Sequence, residues 1–446
     1  RALKTKRGRL GAKIFGLFRS RLRWQYVASL LRCRELRGLP VVLAQGHSRF
    51  GTSSGPAVVE THPHQWLGPR SEHVWQCDEN GTWRCRVLQV CTTITHNGDF
   101  DGWTVYDKVV PNGTLGLFLA RALHCNNDVK GDSAKLAGMM DLLLCQGMWV
   151  ASVRLAFVTE VMKHVDEMFG WEAPSRDAPN HAPPHGSIAH WASVFDDVFR
   201  EALEATKVDS RKPSQEGQFV PTQDKVQALV DALVDVFEAP PNAEEMQRHG
   251  VTGVHLKRFV AKACEYFFTM DLLSTVQSFF QRAEGTFGVS VSCTLWPTSI
   301  VLASKGQPIS LAIDQTRPLV FWSSEPSSLL VGWPALDSRG LRTRAARARW
   351  DLNDATGEAL ELRIVQGGTA DQHVARLRGL VSLGATASSH FFPMPTLDTQ
   401  KVMDHHLLAR GVSLDSAARP LTMGAFVARW VLLHAPPPSR KLGNSR

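Results

Sequence analysis

The sequence has no long run of apolar residues. Residues 136–158 come nearest to one, but Asp141, Gln146 and Arg154 interrupt them, whereas a membrane-spanning helix needs about 20 predominantly apolar residues. The uninterrupted apolar core of a secretory signal is missing as well. We therefore expect no transmembrane segment and an intracellular, cytoplasmic protein, with organelle targeting by a basic leader as the alternative.

Closely spaced cysteine pairs are also missing. The eight cysteines are scattered over 446 residues, and none has the Cys-x-x-Cys spacing of a zinc or redox site. Cys77 and Cys85 flank an Asn-Gly turn and could bridge a hairpin, but reduced thiols are the favoured interpretation. The sequence places no further ligands beside His62-Pro63-His64. No metal and no cofactor are therefore predicted.

Positive charge is concentrated in a basic leader. Residues 1–38 hold twelve Lys or Arg and one acidic residue, a local charge of +11, whereas the whole chain carries +8. The remaining residues therefore sum to −3, and this near-neutral body argues against a nucleic-acid partner. A solvated surface helix is the favoured interpretation of the leader, ahead of a membrane-surface helix or a transit peptide.

Strand-like and helix-like patterns alternate in blocks. The strand-like blocks are residues 40–106, 286–322 and 358–365. Helical spacing marks residues 115–123, 133–145, 188–206, 223–237 and 243–282. We therefore expect an α/β (α+β) domain interrupted by a long helical insertion. Its parts are a leader (1–38), a first domain part (39–145), the insertion (146–282), a second domain part (283–366) and a C-terminal segment with a disordered tail (367–446).

Several polar residues would suit a free amino acid as ligand. A guanidinium fork binds a carboxylate well, and Arg49 supplies one. The hydroxyls of Thr52 and Ser53 can add hydrogen bonds beside it. An α-ammonium requires a carboxylate, and Asp132 is the best candidate. Taken singly, Arg49 is a surface arginine and Asp132 a helix cap more often than either is a ligand-binding residue.

The Asn97-Gly98 pair has two interpretations. Asn-Gly between apolar stretches is a strong hairpin signal, so a tight turn at a strand exit is one of them. The other is an oxyanion hole, in which the Asn97 amide and the Gly98 backbone N–H donate to an amide oxygen under attack. Glycine also lets a ligand approach the backbone without a Cβ in the way.

Four stretches, in this order, carry a resemblance to a known family. They are GHSRFGTSSG (46–55), THPHQW (61–66), THNGDFDGW (95–103) and KGDSAKLAG (130–138). Three later segments extend it, namely GTFGVSVSC (285–293), VLASKGQPISLAI (301–313) and FWSSEPSSLL (321–330). Over residues 41–145 and 283–331 the chain resembles the class II glutamine amidotransferase domain, the N-terminal-nucleophile glutaminase of glucosamine-6-phosphate synthase and glutamate synthase. That resemblance implies a four-layer α/β/β/α sandwich carrying the helical insertion.

The resemblance implies a role for each matching residue. Arg49 would bind the glutamine carboxylate with help from Thr52, and Asp132 would bind the α-amino group. Asn97 and Gly98 would form the oxyanion hole.

Further matching positions depart from the family pattern or play a supporting part. His62 would support the pocket. Phe50 stands where Trp is frequent, and its backbone carbonyl could still serve. Ser53 stands where the sugar-aminating branch commonly has His, which argues against that branch's substrate.

The family's nucleophile has no match. It is a cysteine that becomes residue one of the mature chain, with its α-amino group as base, whereas Cys33 lies only fourteen residues before His47. We expect the chain as given to be inactive and favour a fragment of an enzyme that passes ammonia to an acceptor synthase domain or subunit. The alternatives are a pseudoenzyme that binds glutamine, and an assembly protein whose insertion carries the partner interface.

Overall fold

The computed structural model describes part of the chain. Described are residue 45 and residues 62–78, 81–105, 108–125, 127, 131–161, 185–205, 219–314, 320–325, 347–366, 372–382 and 421–422. The predicted leader and the site residues Arg49, Phe50, Thr52 and Ser53 lie outside the described residues.

The described strands form three antiparallel sheets. In chain order the strands are β1 (Arg70–Cys77), β2 (Trp83–Val90), β3 (Thr92–Val105), β4 (Lys108–Pro111), β5 (Ala283–Cys293), β6 (Ser299–Lys305), β7 (Ser310–Asp314), β8 (Val320–Ser323), β9 (Arg347–Asp351), β10 (Glu358–Gln366), β11 (Gln372–Ser382) and β12 (Leu421–Thr422). A seven-stranded sheet has the order β12-β11-β10-β6-β5-β3-β4, a three-stranded sheet the order β8-β7-β9, and β1 pairs with β2.

The described helices fall between β4 and β5. They are α1 (Asn112–Ala122), α2 (Asp132–Leu143), α3 (Trp149–Ala156), α4 (His185–Ala205), α5 (Gln223–Glu238), α6 (Asn242–Arg248), α7 (Val254–Thr269) and α8 (Leu272–Phe280). A π-helical turn, Phe157–Val161, continues α3. No helix in the described ranges is both long and apolar enough to cross a membrane.

The helical region separates two neighbouring strands of one sheet. Strand β3 lies beside β5, with Thr92 opposite Cys293 and Trp103 opposite Ala283. Within the intervening region, the chain leaves and returns at one point for residues 147–269, because the backbone N–H groups of Cys145 and Gln146 both donate to the Met270 carbonyl oxygen, at 3.3 and 3.0 Å. Closing so long a loop is tolerable, since its entropy cost rises only logarithmically with length.

One hydrophobic core joins the large sheet to four helices, α1, α2, α3 and α8. Helix α2 packs against β3, α1 and α8, and it is buried along almost its whole length. A second small core lies between β6 and β10 of the large sheet and β7 of the three-stranded sheet, through Leu302, Leu311 and Leu360.

The prediction of a mixed fold with both helices and sheets is confirmed. The four-layer arrangement remains a prediction.

Helices α3 to α7 have a separate aromatic core. Trp149 stacks on Phe267 with ring centroids 3.6 Å apart, and Trp83 of the β1–β2 hairpin packs against the same ring. The helical segment predicted over residues 243–282 is divided into three helices. Gly250 and Gly253, both at positive φ, separate the first two, and Asp271 caps the third by accepting from the Ser274 N–H.

The β1–β2 hairpin contains two cysteines that are close in sequence and form no disulfide with each other. Cys77 lies opposite Trp83, and Cys85 lies opposite Trp75. The two thiols are thus on different rungs of the ladder, and both are free.

Candidate functional site

The Asn97-Gly98 pair lies inside a strand. Strand β3 continues from Thr92 to Val105, with Asn97 opposite Gly288 and Gly98 opposite Phe287. The hairpin-turn interpretation is therefore wrong. Asn-Gly makes a turn when its two flanks pair with each other, whereas here both flanks pair with β5 and the chain reverses only after Val105.

Gly98 occupies a position that no other residue fits without distortion. Its φ is +128°, a backbone conformation that side chains with a Cβ rarely adopt. A Cβ built there would lie 2.0 Å from the carbonyl oxygen of Thr286. Glycine is thus required by the close approach of β5 as well as by the backbone angle.

His96 connects β3, β5 and α2. Its Nε2 lies 3.3 Å from the Thr286 carbonyl oxygen, and its Nδ1 lies 3.0 Å from Ser133 Oγ. A carbonyl oxygen can only accept, so Nε2 carries the proton of the neutral ring. His96 Nδ1 and Asp132 Oδ1, which lies 3.2 Å from Ser133 Oγ, then compete for the single Ser133 hydroxyl hydrogen. The imidazole is buried and stacks on Phe287. Burial lowers the pKa of His96, opposed by the nearby Asp132 carboxylate, so the ring is neutral at pH 7.

His62 supports β3 from its other edge. The His96 backbone N–H donates to His62 Nδ1 at 3.2 Å, which places the His62 proton on Nε2. The ring packs edge-on against His64 with centroids 4.4 Å apart. The backbone of His64 forms a bridge with Ile94, with N–O distances of 2.8 and 3.0 Å. The His-Pro-His segment therefore stabilises the part of β3 that immediately precedes Asn97.

Asp132 is the first residue of helix α2, and the preceding Gly131 takes the cap position. One carboxylate oxygen accepts from the Ser133 N–H at 2.7 Å, and the other accepts from the Phe100 N–H at 3.2 Å. The second bond ties the helix start to β3 three residues beyond Asn97. The side chain is 33% exposed, so the carboxylate is oriented and still reachable by a ligand. A negative charge is also favourable in a first helical turn.

The side chain of Asn97 has a carboxamide partner. Its Nδ2 donates to Gln307 Oε1 at 3.2 Å. Gln307 is not among the site residues predicted from the sequence. The predicted residues His62, Asn97, Gly98 and Asp132 thus all lie along β3 or in contact with it.

The described thiols are poor nucleophiles. Burial raises the pKa of every one of them, to about 11 for Cys77 and Cys293. The other five are Cys85, Cys91, Cys125, Cys145 and Cys264. A thiol attacks as its thiolate, so these cysteines are protonated and weakly reactive at pH 7. Nor do the described residues contain a group of three His, Cys, Asp or Glu side chains arranged for a metal ion.

The buried His96 predicts a loss of stability on acidification. Its folded-state pKa is below the ordinary value of 6.5, so the unfolded chain binds more protons as the pH falls below about 6.5, and unfolding becomes easier there. We expect the free energy of unfolding of the wild type to fall below pH 6.5, by up to about 1.4 kcal/mol per pH unit from this group.

Urea unfolding at pH 7.5, 6.5 and 5.5 measures this loss. His96→Gln should be less stable than the wild type at pH 7.5, with a gap that narrows by pH 5.5. The exposed His73→Gln is the matched control and should retain the pH dependence of the wild type. A gap between wild type and His96→Gln that stays constant with pH would contradict the expectation.

Comparisons with protein-family models, with curated proteins and with solved structures found no match to this chain.

Proposed function

We propose that this chain binds free glutamine at a site of the class II glutamine amidotransferase type. Asp132 binds the α-ammonium group, and Asn97 with Gly98 binds the oxygen of the side-chain amide. The observation that carries the proposal is the bond from the Phe100 N–H to the Asp132 carboxylate, at 3.2 Å. It holds a partly exposed carboxylate at the strand that contains Asn97 and Gly98.

The Asp132 carboxylate suits an ammonium group. Each of its oxygens already accepts one backbone N–H, from Ser133 and from Phe100, which fixes the orientation of the group. The Ser133 hydroxyl also lies 3.2 Å from Oδ1 and can donate to it. A carboxylate has about four lone-pair positions, so at least one remains for an ammonium ligand. Charge-assisted hydrogen bonds of this kind are stronger than neutral ones.

The amide end of the ligand needs donors rather than acceptors. Asn97 Nδ2 already donates to a carboxamide oxygen of the protein itself. The Asn97 side chain is therefore oriented to donate to the amide oxygen of a ligand. Gly98 has no side chain and lies next along the strand toward Phe100. The carboxylate end would be bound by Arg49 and Thr52, which follow from the sequence resemblance, with Phe50 and Ser53 beside them.

The proposal covers binding, and turnover requires more. Hydrolysis would need a thiolate at the amide carbon, and the described cysteines all have raised thiol pKa values. In a parent enzyme with an N-terminal cysteine, the same site would release ammonia for an acceptor domain or subunit. In a pseudoenzyme the site would bind glutamine alone.

Calorimetry with L-glutamine tests the proposal. We expect measurable binding by the wild type and about 10- to 150-fold weaker binding by Asp132→Asn, because a hydrogen bond to a charged group contributes about 1.5–3 kcal/mol. Arg49→Ala should abolish the signal. L-glutamate, with a carboxylate in place of the amide, should bind more weakly than L-glutamine.

The matched control for this measurement is Asp224→Asn. Asp224 is an exposed aspartate in the first turn of α5, so the change removes the same charge from a helix start away from the site. Its affinity for glutamine should equal that of the wild type. No heat with the wild type, or equal affinities of Asp132→Asn and wild type, would refute the proposal.

A further inference from the structure

A glutamine side chain of the protein occupies the amide donor of the proposed site. Gln307 Oε1 accepts from Asn97 Nδ2 at 3.2 Å. The accepting group is a primary carboxamide, the same chemical group as the side-chain amide of free glutamine. Asn97 and Gln307 are 210 residues apart in sequence, so the fold brings this group to the site.

The space for Gln307 is provided by a glycine. Asn97 lies opposite Gly288 in the sheet, and Gly288 has no side chain to cover that rung. A Cβ built on Gly288 would lie 3.5 Å from the Gln307 Cβ and 3.3 Å from the Pro308 carbonyl oxygen. The loop after β6 therefore packs directly over Gly288, and the Gln307 side chain reaches Asn97 from there.

The backbone of this loop is fixed at several points. Ser304 Oγ donates to the Gln307 carbonyl oxygen at 2.6 Å, and the Gly306 N–H donates to the Asp354 carbonyl oxygen at 2.8 Å. Gly306 also forms a bridge with Phe287. The Gln307 side chain is only partly buried. A fixed backbone with a partly exposed side chain allows the carboxamide to leave Asn97 by rotation while the loop stays in place.

We propose that Gln307 is an internal competitor for the amide subsite and thereby sets the affinity for glutamine. The proposal rests on the function proposed above. A ligand amide must displace the Gln307 carboxamide to reach Asn97 Nδ2, so binding exchanges one hydrogen bond for another of the same kind. The apparent Kd equals the intrinsic Kd divided by the fraction of protein in which Asn97 is free of Gln307.

Two substitutions at Gln307 should change the affinity in opposite directions. Gln307→Ala removes the competitor and should lower the Kd for L-glutamine about three- to tenfold, the value of one ordinary hydrogen bond. Gln307→Glu replaces it with a charged acceptor, which forms a stronger bond to Asn97, and should raise the Kd about threefold or more. Calorimetry at pH 7.5 measures all three proteins.

Gln65→Ala is the matched control. Gln65 is exposed, and its Nε2 donates to Thr93 Oγ1 on the same strand at 3.0 Å, so the change removes an amide contact to β3 away from Asn97. Its Kd should equal that of the wild type. A second readout is the ¹⁵N–¹H signal of the Asn97 side-chain amide, which should shift in ligand-free Gln307→Ala and on adding glutamine to the wild type.

The outcomes separate this inference from the proposed function. A Kd that increases in the order Ala, Gln, Glu at position 307 supports the inference. Binding by the wild type with an unchanged or raised Kd in Gln307→Ala overturns the inference and leaves the proposed function standing. Absence of binding by all three proteins overturns both.

Discussion

Gly98→Ala is expected to lose at least about 3 kcal/mol of folding free energy. Two causes act together. The φ of +128° is strained for any residue with a Cβ, and the new methyl group would lie 2.0 Å from the Thr286 carbonyl oxygen. That oxygen belongs to the backbone of the neighbouring strand and also accepts from His96 Nε2. Relieving the clash therefore displaces β5 or breaks the His96 contact.

Urea unfolding followed by circular dichroism measures the loss in Gly98→Ala. The matched control is Gly113→Ala in helix α1, where a Cβ would meet nothing within 4 Å. There alanine should be neutral or stabilising by less than about 1 kcal/mol. A soluble Gly98→Ala protein with the unfolding midpoint of the wild type would show that neither the backbone angle nor the close approach to Thr286 destabilises the variant.

Phe287→Ala is the second substitution with a large expected effect, about 3–5 kcal/mol of destabilisation. The Phe287 ring is completely buried. It contacts Phe280 with centroids 4.9 Å apart and His96 with centroids 5.5 Å apart. Removing it leaves a cavity between α8 and the sheet and takes away the surface on which the His96 ring stacks.

The same unfolding measurement, with two comparison variants, checks Phe287→Ala. Phe287→Leu keeps most of the volume and should cost less than half as much. Val87→Ala, at a side chain that is 61% exposed, should change stability by less than about 0.5 kcal/mol. Equal losses for Phe287→Ala and Phe287→Leu would show that packing volume is not the cause.

Local patterns in the sequence predicted many of the elements. Alternation predicted strands near residues 286–322 and 358–365, and the structure has strands there. Helical spacing predicted 223–237, and α5 spans Gln223–Glu238. These patterns succeed because burial on one face repeats at the period of the element itself. The apolar spacing over 243–282 continues across Gly253 and Asp271, so it predicted helix there without the division into three helices.

Local patterns could not predict which strands pair or which distant side chains form hydrogen bonds. Asn97-Gly98 has the composition of a turn, and only the distant strand β5 explains why it lies within a strand. The Ser133 partner of His96 is 37 residues away, and the Gln307 partner of Asn97 is 210 residues away. The predicted site residues were found by resemblance, whereas the residues that position them depend on tertiary contacts.

Because of the shared acceptor at Met270, the geometry of the sheet does not depend on the size of the helical region. Because Cys145 and Gln146 donate to the same carbonyl oxygen, the chain leaves and returns at one fixed point, whatever lies between. Residues can then be added to or removed from the surface of that region at a cost that grows only with the logarithm of loop length. The rung that joins Asn97 to Gly288 can therefore keep its register when the length of the helical region changes.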